Sequence, residues 1–113
     1  MVHINQIRHA LGLDRIAVEY YSWRSSSAPK AQIDMVIERA DRLINLCEIK
    51  YTQSEFVITA DEDMKLRNRI AAFTRDTKTH CGILPTWITP YGLYRNEYSA
   101  SVQYQAQLDD LFV

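Results

Sequence analysis

The apolar positions along the chain change period several times, and each change predicts a new element. Ile4, Ile7 and Leu11 recur at helical spacing and stop at Gly12, which predicts a short amphipathic helix with a glycine exit. No Ser, Thr, Asp or Pro precedes the first apolar position as a start signal, so this helix is expected to be truncated here and to begin upstream of Met1. Over residues 16–23 the β-branched and aromatic run containing Val18, Tyr20, Tyr21 and Trp23 predicts a strand, and Ser25-Ser26-Ser27-Ala28-Pro29 predicts the loop that ends it. The serine triplet reads more simply as a solvated connection than as a phosphate-contacting loop. Residues 32–39 and 43–51 are two mostly apolar segments separated by Ala40-Asp41-Arg42, the spacing of a β-hairpin with a short loop.

Thr59 followed by Glu62 forms a capping box, and Leu66, Ile70 and Phe73 continue at helical spacing, predicting a second helix over residues 60–77. Its first turn is acidic (Asp61, Glu62, Asp63) and its remainder basic (Lys65, Arg67, Arg69, Arg75, Lys78). The helix dipole and i,i+4 pairing account for that basic stripe more simply than contact with phosphate. Residues 81–89 predict a further strand, with Pro85 arguing for an edge position or a bulge because it lacks a ladder donor. A last strand is expected over residues 99–104 and a docking helical turn over residues 108–112. There is no internal repeat or linker. The order helix, three strands, helix, strand predicts one α/β (α+β) domain over residues 1–113, a mixed sheet flanked by helices.

Composition narrows the functional classes. The 113 residues are 47% hydrophobic and 24% charged, which excludes a disordered tail, a fibre or a low-complexity scaffold. Thirteen Lys and Arg against fourteen Asp and Glu give a net charge of −1, so any grip on a polyanion must be local. Cys47 and Cys81 lie in apolar stretches, match no metal-ligand spacing and are expected to be buried free thiols. No membrane span or signal peptide is legible, and a reducing, cytoplasmic setting is expected. His3 and His9 lack the i,i+4 spacing of a helical metal pair, and His80 begins a strand. Surface or capping roles suit all three. Tyr20, Tyr21, Trp23, Trp87 and Tyr104 could stack bases, but core and sheet packing explains them more simply.

The chemistry gathers on the hairpin. In a strand, residues two apart share a face, so Glu48 and Lys50 project together while Cys47 and Ile49 project to the other side. Charges inside so apolar a run require compensation, because an unpaired buried charge costs several kcal/mol. Asp34 meets Glu48 only if the hairpin loop is odd. With a three-residue loop at Ala40, Asp41 and Arg42, Asp34 falls opposite Glu48 on one face; a two-residue turn would separate them. The Asn-Gly or Asp-Gly signature of the two-residue turn is absent, so the odd loop is expected. Two such carboxylates suit a hard divalent cation, Mg²⁺ or Mn²⁺, and a neighbouring lysine suits metal-assisted phosphodiester hydrolysis. On spacing alone, a structural Asp/Glu/Lys ion network is an equal alternative.

Gln32-Ile33-Asp34, twelve intervening residues and Cys47-Glu48-Ile49-Lys50-Tyr51 resemble the PD-(D/E)XK nuclease superfamily, with its restriction-endonuclease-like core of helix, three strands, helix and strand. More narrowly, QIDMVIERADRLINLCEIKY, LRNRIAAF, ITPYGL and the closing LDDLF resemble the nuclease-like domain at the C-terminus of certain bacterial and archaeal P-loop ATPases. The resemblance implies Asp34 and Glu48 as metal ligands, the Ile49 carbonyl as a third, and Lys50 as the catalytic lysine. Two features depart from the pattern. The motif's proline is replaced by Ile33, and the further acidic residue often carried on the first helix would fall upstream of this chain. There is no Walker sequence. Two functions follow as expectations: a Mg²⁺- or Mn²⁺-dependent nuclease domain that hydrolyses DNA, or a catalytically silent nuclease-fold module serving a P-loop ATPase. Either is compatible with a homodimer.

Overall fold

The computed structural model describes residues 4–26, 30–101 and 104–107, with residues 101 and 104–107 described through their backbone alone. The elements in chain order are α1 (Ile4–Ala10), β1 (Val18–Arg24), β2 (Gln32–Arg39), β3 (Leu43–Ile49), α2 (Ala60–Thr77), β4 (Gly82–Thr89), a 3₁₀ turn (Ser99–Ser101) and β5 (Tyr104–Gln107). The strands form one mixed sheet in the order β1-β2-β3-β4-β5. β1, β2 and β3 are an antiparallel meander, whereas β4 joins β3 in parallel after the α2 crossover and β5 joins β4 in parallel. This is the α+β arrangement expected from the alternation of periods.

The helices cover opposite faces. Ile7, Leu11 and Leu13 pack with Ile37, Cys47 and Ile88 on one side. On the other, Phe73 packs with Ile33, Val36, Ile44 and Leu46, while Leu66 packs with Trp87 and Ile58. β3 lies at the centre of the sheet with both faces covered, which is why its sequence is a nearly unbroken apolar run. β1 lies at the edge and is mostly exposed.

The hairpin has the odd loop. Met35 pairs with Cys47, Val36 with Leu46, Ile37 with Asn45 and Glu38 with Ile44, the register of a three-residue loop, and the paired residues end at Met35 and Cys47, one short of Asp34 and Glu48. Arg42 takes the left-handed conformation (φ 67°) that commonly closes a three-residue loop, and Asp41 accepts from Arg39 Nη2 at 2.7 Å across it.

Several sequence expectations shift. The predicted strand over residues 99–104 is a 3₁₀ turn followed by β5, and the helical turn over residues 108–112 lies outside the described residues, as does Met1. β4 is an interior strand despite Pro85. Lys50 N–H donates to the Ile88 carbonyl, so residues 84, 86 and 88 turn their backbone groups toward β3 and Pro85 turns away from it. Pairing with β5 begins at Thr86, so the missing donor interrupts neither ladder. The serine loop closes on itself: Ser25 Oγ accepts from Ala31 N–H at 2.7 Å, and residues 27–29 lie outside the described residues. Both cysteines are free thiols, but only Cys47 is buried, and Cys81 is half-buried at the entry to β4.

Candidate active site

The C-terminal end of β3 carries Glu48 and Ile49, and Lys50 just beyond it, toward the start of α2, where Glu62 lies. Glu48 is 2% exposed, paired in the parallel register with the buried Trp87. Its face also carries Leu46 and Ile44, packed under α2, while Cys47 and Ile49 point to the α1 side. Alternation along β3 thus separates charge from thiol as the sequence predicts.

Asp34 reaches this end from β2 through a local irregularity. Between the pairs Tyr21–Val36 and Trp23–Ile33, β1 advances two residues and β2 three, so β2 carries one extra residue at Asp34-Met35. Such a bulge bends the strand and re-aims its side chains. Ile33 and Val36, three apart, consequently share the α2 face. Asp34 Oδ2 accepts from Ile49 N–H at 3.0 Å, so the carboxylate stands at the junction where β2 and β3 part. Its negative charge is felt by Glu48 on one face and by the Cys47 thiol on the other, as that position requires. Because Lys50 N–H faces β4, the backbone groups of Ile49 face Asp34.

The helix supplies two residues that sequence reasoning assigned to other roles. The N–H of Glu62 donates to Thr59 Oγ1 at 3.2 Å, as the capping box requires, but its carboxylate lies 3.6 Å from Lys50 Nζ. Arg69, two turns further along, brings Nη1 to 3.2 Å from Glu48 Oε2. The dipole account of the basic stripe holds for its exposed members, since Lys65 pairs with Asp61 and Arg67 with Asp63 at i,i+4. It does not hold for Arg69. The signal available in the sequence was the spacing from Glu62 through Leu66 to Arg69 and Phe73, which lies on one helix face.

The two ion pairs are close without being aligned as hydrogen bonds. Glu48 Oε1, Arg69 Nη1 and Glu62 Oε2 are buried with no hydrogen-bond partner. Burial pushes the Glu48 carboxyl up to about 7; Arg69 and Lys50 oppose that rise, while Asp34 and Glu62 reinforce it. Lys50 Nζ also lies 5.9 Å from the centre of the Phe56 ring, whose neighbour is Trp87.

The Asp34 and Glu48 carboxylates and the Ile49 backbone thus lie at one end of the β2–β3 pair, with Asp34 bonded to the Ile49 N–H. One or two carboxylates completed by water is the donor set Mg²⁺ prefers, and the orphaned Glu48 Oε1 fits a cation. Among the described residues, no group of three or more His, Cys, Asp or Glu side chains is placed to hold a metal ion.

A basic cleft lies between the end of β1, the start of β2 and α2. An open cavity of about 490 Å³ is lined by Arg24, Ser25, Lys30 and Gln32, and a second of about 380 Å³ by Asn68, Ala72 and Arg75; both share Lys30 and Ala31. Arg75 is paired with Asp76 at 2.9 Å, whereas Arg24 and Lys30 have no ion-pair partner among the described residues. Asp76 also accepts from Ser26 N–H at 3.1 Å.

No family model matches the chain, and no curated protein matches it. Among solved structures it is similar to a crystal structure of a protein of unknown function, AF1548, with a TM-score of 0.61 and 15% identity over 93% of this chain. The chain spans 60% of the length of that protein. At this identity the likeness bears on the fold alone. No helix among the described residues is long and apolar enough to cross a membrane.

Proposed function

We propose that the chain is a nuclease-like domain of the PD-(D/E)XK type that hydrolyses DNA phosphodiester bonds with Mg²⁺ or Mn²⁺, using Asp34, Glu48 and Lys50. The observation that carries this reading is Glu48, a nearly inaccessible carboxylate whose Oε1 has no hydrogen-bond partner, with the Asp34 carboxylate on the N–H of the adjacent Ile49. A core does not retain such a group for stability, since an apolar residue would cost less.

In this reading Asp34 and Glu48 hold the cation, with the Ile49 carbonyl completing the protein donors. The bound cation would polarise a phosphoryl oxygen and lower the pKa of a water molecule. Lys50 orients that water or offsets charge developing on the phosphate, and Glu62 positions the amine from 3.6 Å away. Trp87 beside Glu48 and Phe56 beside Lys50 pack on each other and strengthen these charge interactions by limiting water. The Arg24 and Lys30 cleft offers the phosphate backbone the local grip that a net charge of −1 otherwise denies.

One observation favours a second reading. Arg69 already neutralises Glu48, as it would in a structural ion network of a silent module that serves a P-loop ATPase or pairs with a second copy. Titration of the intact chain with Mg²⁺ and Mn²⁺, read by calorimetry and by nicking of supercoiled plasmid, separates the two. Cation binding with nicking is the expected result, and an intact chain that does neither leaves the silent module standing.

DNA binding itself can be measured in EDTA by fluorescence anisotropy of a labelled duplex. Arg24→Glu/Lys30→Glu is expected to weaken it severalfold or more and to reduce the dependence of log affinity on log salt by about two. An unchanged salt slope would place the DNA elsewhere.

A further inference from the structure

We infer that Arg69 is an internal counter-ion which a divalent cation must displace, so that the Arg69–Glu48 pair and cation occupancy exclude one another. The inference rests on the proposed cation site and adds its regulation. Charge counting supports it. Asp34, Glu48 and Glu62 against Lys50 and Arg69 sum to −1, whereas without Arg69 the remaining four sum to −2, the charge one divalent cation neutralises. With both cation and arginine present the cluster would carry a net positive charge, with both crowding the one carboxylate that is nearly inaccessible to water.

Exposure decides which partner can move. The Glu48 side chain is 3% exposed and held on the central strand, while the Arg69 side chain is 25% exposed on the outer layer. The Arg69 side chain therefore borders water along part of its length, although its Nη1 is buried, and the carboxylate does not. Nor is the pair locked: Arg69 Nη1 has no hydrogen-bond partner and lies 3.2 Å from Glu48 Oε2 without hydrogen-bond alignment, so little directional bonding is lost on leaving. Arg69 thus sets the affinity of the site without belonging to its donor set.

The test is Mn²⁺ binding by electron paramagnetic resonance of the free ion, on wild type, Arg69→Met, Arg69→Lys, Glu48→Gln and the Glu48→Gln/Arg69→Met double variant, with circular dichroism as the check of fold. Arg69→Met is expected to bind Mn²⁺ roughly tenfold more tightly than wild type, Arg69→Lys about as weakly as wild type, and both Glu48→Gln chains not at all. Should Arg69→Met bind no more tightly while Glu48→Gln still abolishes binding, the counter-ion role is wrong and the cation site stands. Absence of Mn²⁺ binding from every chain overturns the site and the inference together. A readout on the unmodified protein covers a variant that does not fold: the Arg69 Nε–H resonance is expected to shift along the Mg²⁺ binding curve, and a resonance that stays fixed as Mg²⁺ saturates overturns the displacement.

Discussion

Asp34→Ala, Glu48→Gln and Lys50→Ala should each slow cation-dependent plasmid cleavage by roughly a hundred- to a thousandfold, the loss typical when one preorganised charge is removed from a catalytic centre. The three act as a unit, so the triple variant should fall little further than the worst single one. Asp34→Ala is the cleanest of them, because Asp34 is exposed and its removal frees only the Ile49 N–H, worth about 1 kcal/mol of stability. Its fold should therefore survive by circular dichroism while its cleavage does not. Initial rates of supercoiled plasmid loss at saturating Mg²⁺ give the comparison. Variants that cleave as fast as wild type would remove the triad from the chemistry.

Glu48→Gln should also change stability, and in the opposite sense to activity. The Glu48 carboxyl titrates near 7 in the folded protein against 4.5 in the unfolded chain, so between those values the folded state holds a proton that the unfolded state has lost. A raised acid pKa means that stability is fully present below about 4.5 and falls as pH climbs toward 7, by about 3 kcal/mol in total. Glutamine at this position has no proton to lose. The stability of Glu48→Gln relative to wild type should thus rise by about 3 kcal/mol between pH 4.5 and pH 8, as measured by urea unfolding of both chains at each pH. Groups shared by the two chains cancel in that difference. Parallel pH profiles would mean that Glu48 ionises without cost. The two outcomes together describe a residue kept for chemistry at the expense of stability.

Much of this was legible because the informative signals are short-ranged. The three-residue gap between the apolar segments of the hairpin implied an odd loop, and the observed register of Met35 with Cys47 follows from it. The bounds of α2 were readable from Thr59 and the spacing of Leu66, Ile70 and Phe73. Pro85 misled because its missing donor matters only on the side where a partner strand pairs, and the sequence does not say which side that is. The residues around Ser99 misled through composition, since a four-residue strand and a 3₁₀ turn are both too short to carry a period.

The amino-acid pattern by itself determined the element order, the hairpin register, and the placement of Glu48 and Lys50 on the face opposite Cys47, because each depends on periodicity and loop length along a few consecutive residues. Only the tertiary structure decided that Arg69 faces Glu48, that Glu62 faces Lys50, and that a bulge turns Asp34 onto the Ile49 N–H. Those contacts depend on how α2 is rotated against the sheet and how β1 pairs with β2. Leu66, Phe73 and Trp87 set that rotation by packing across segments far apart in the chain, and no local spacing encodes it.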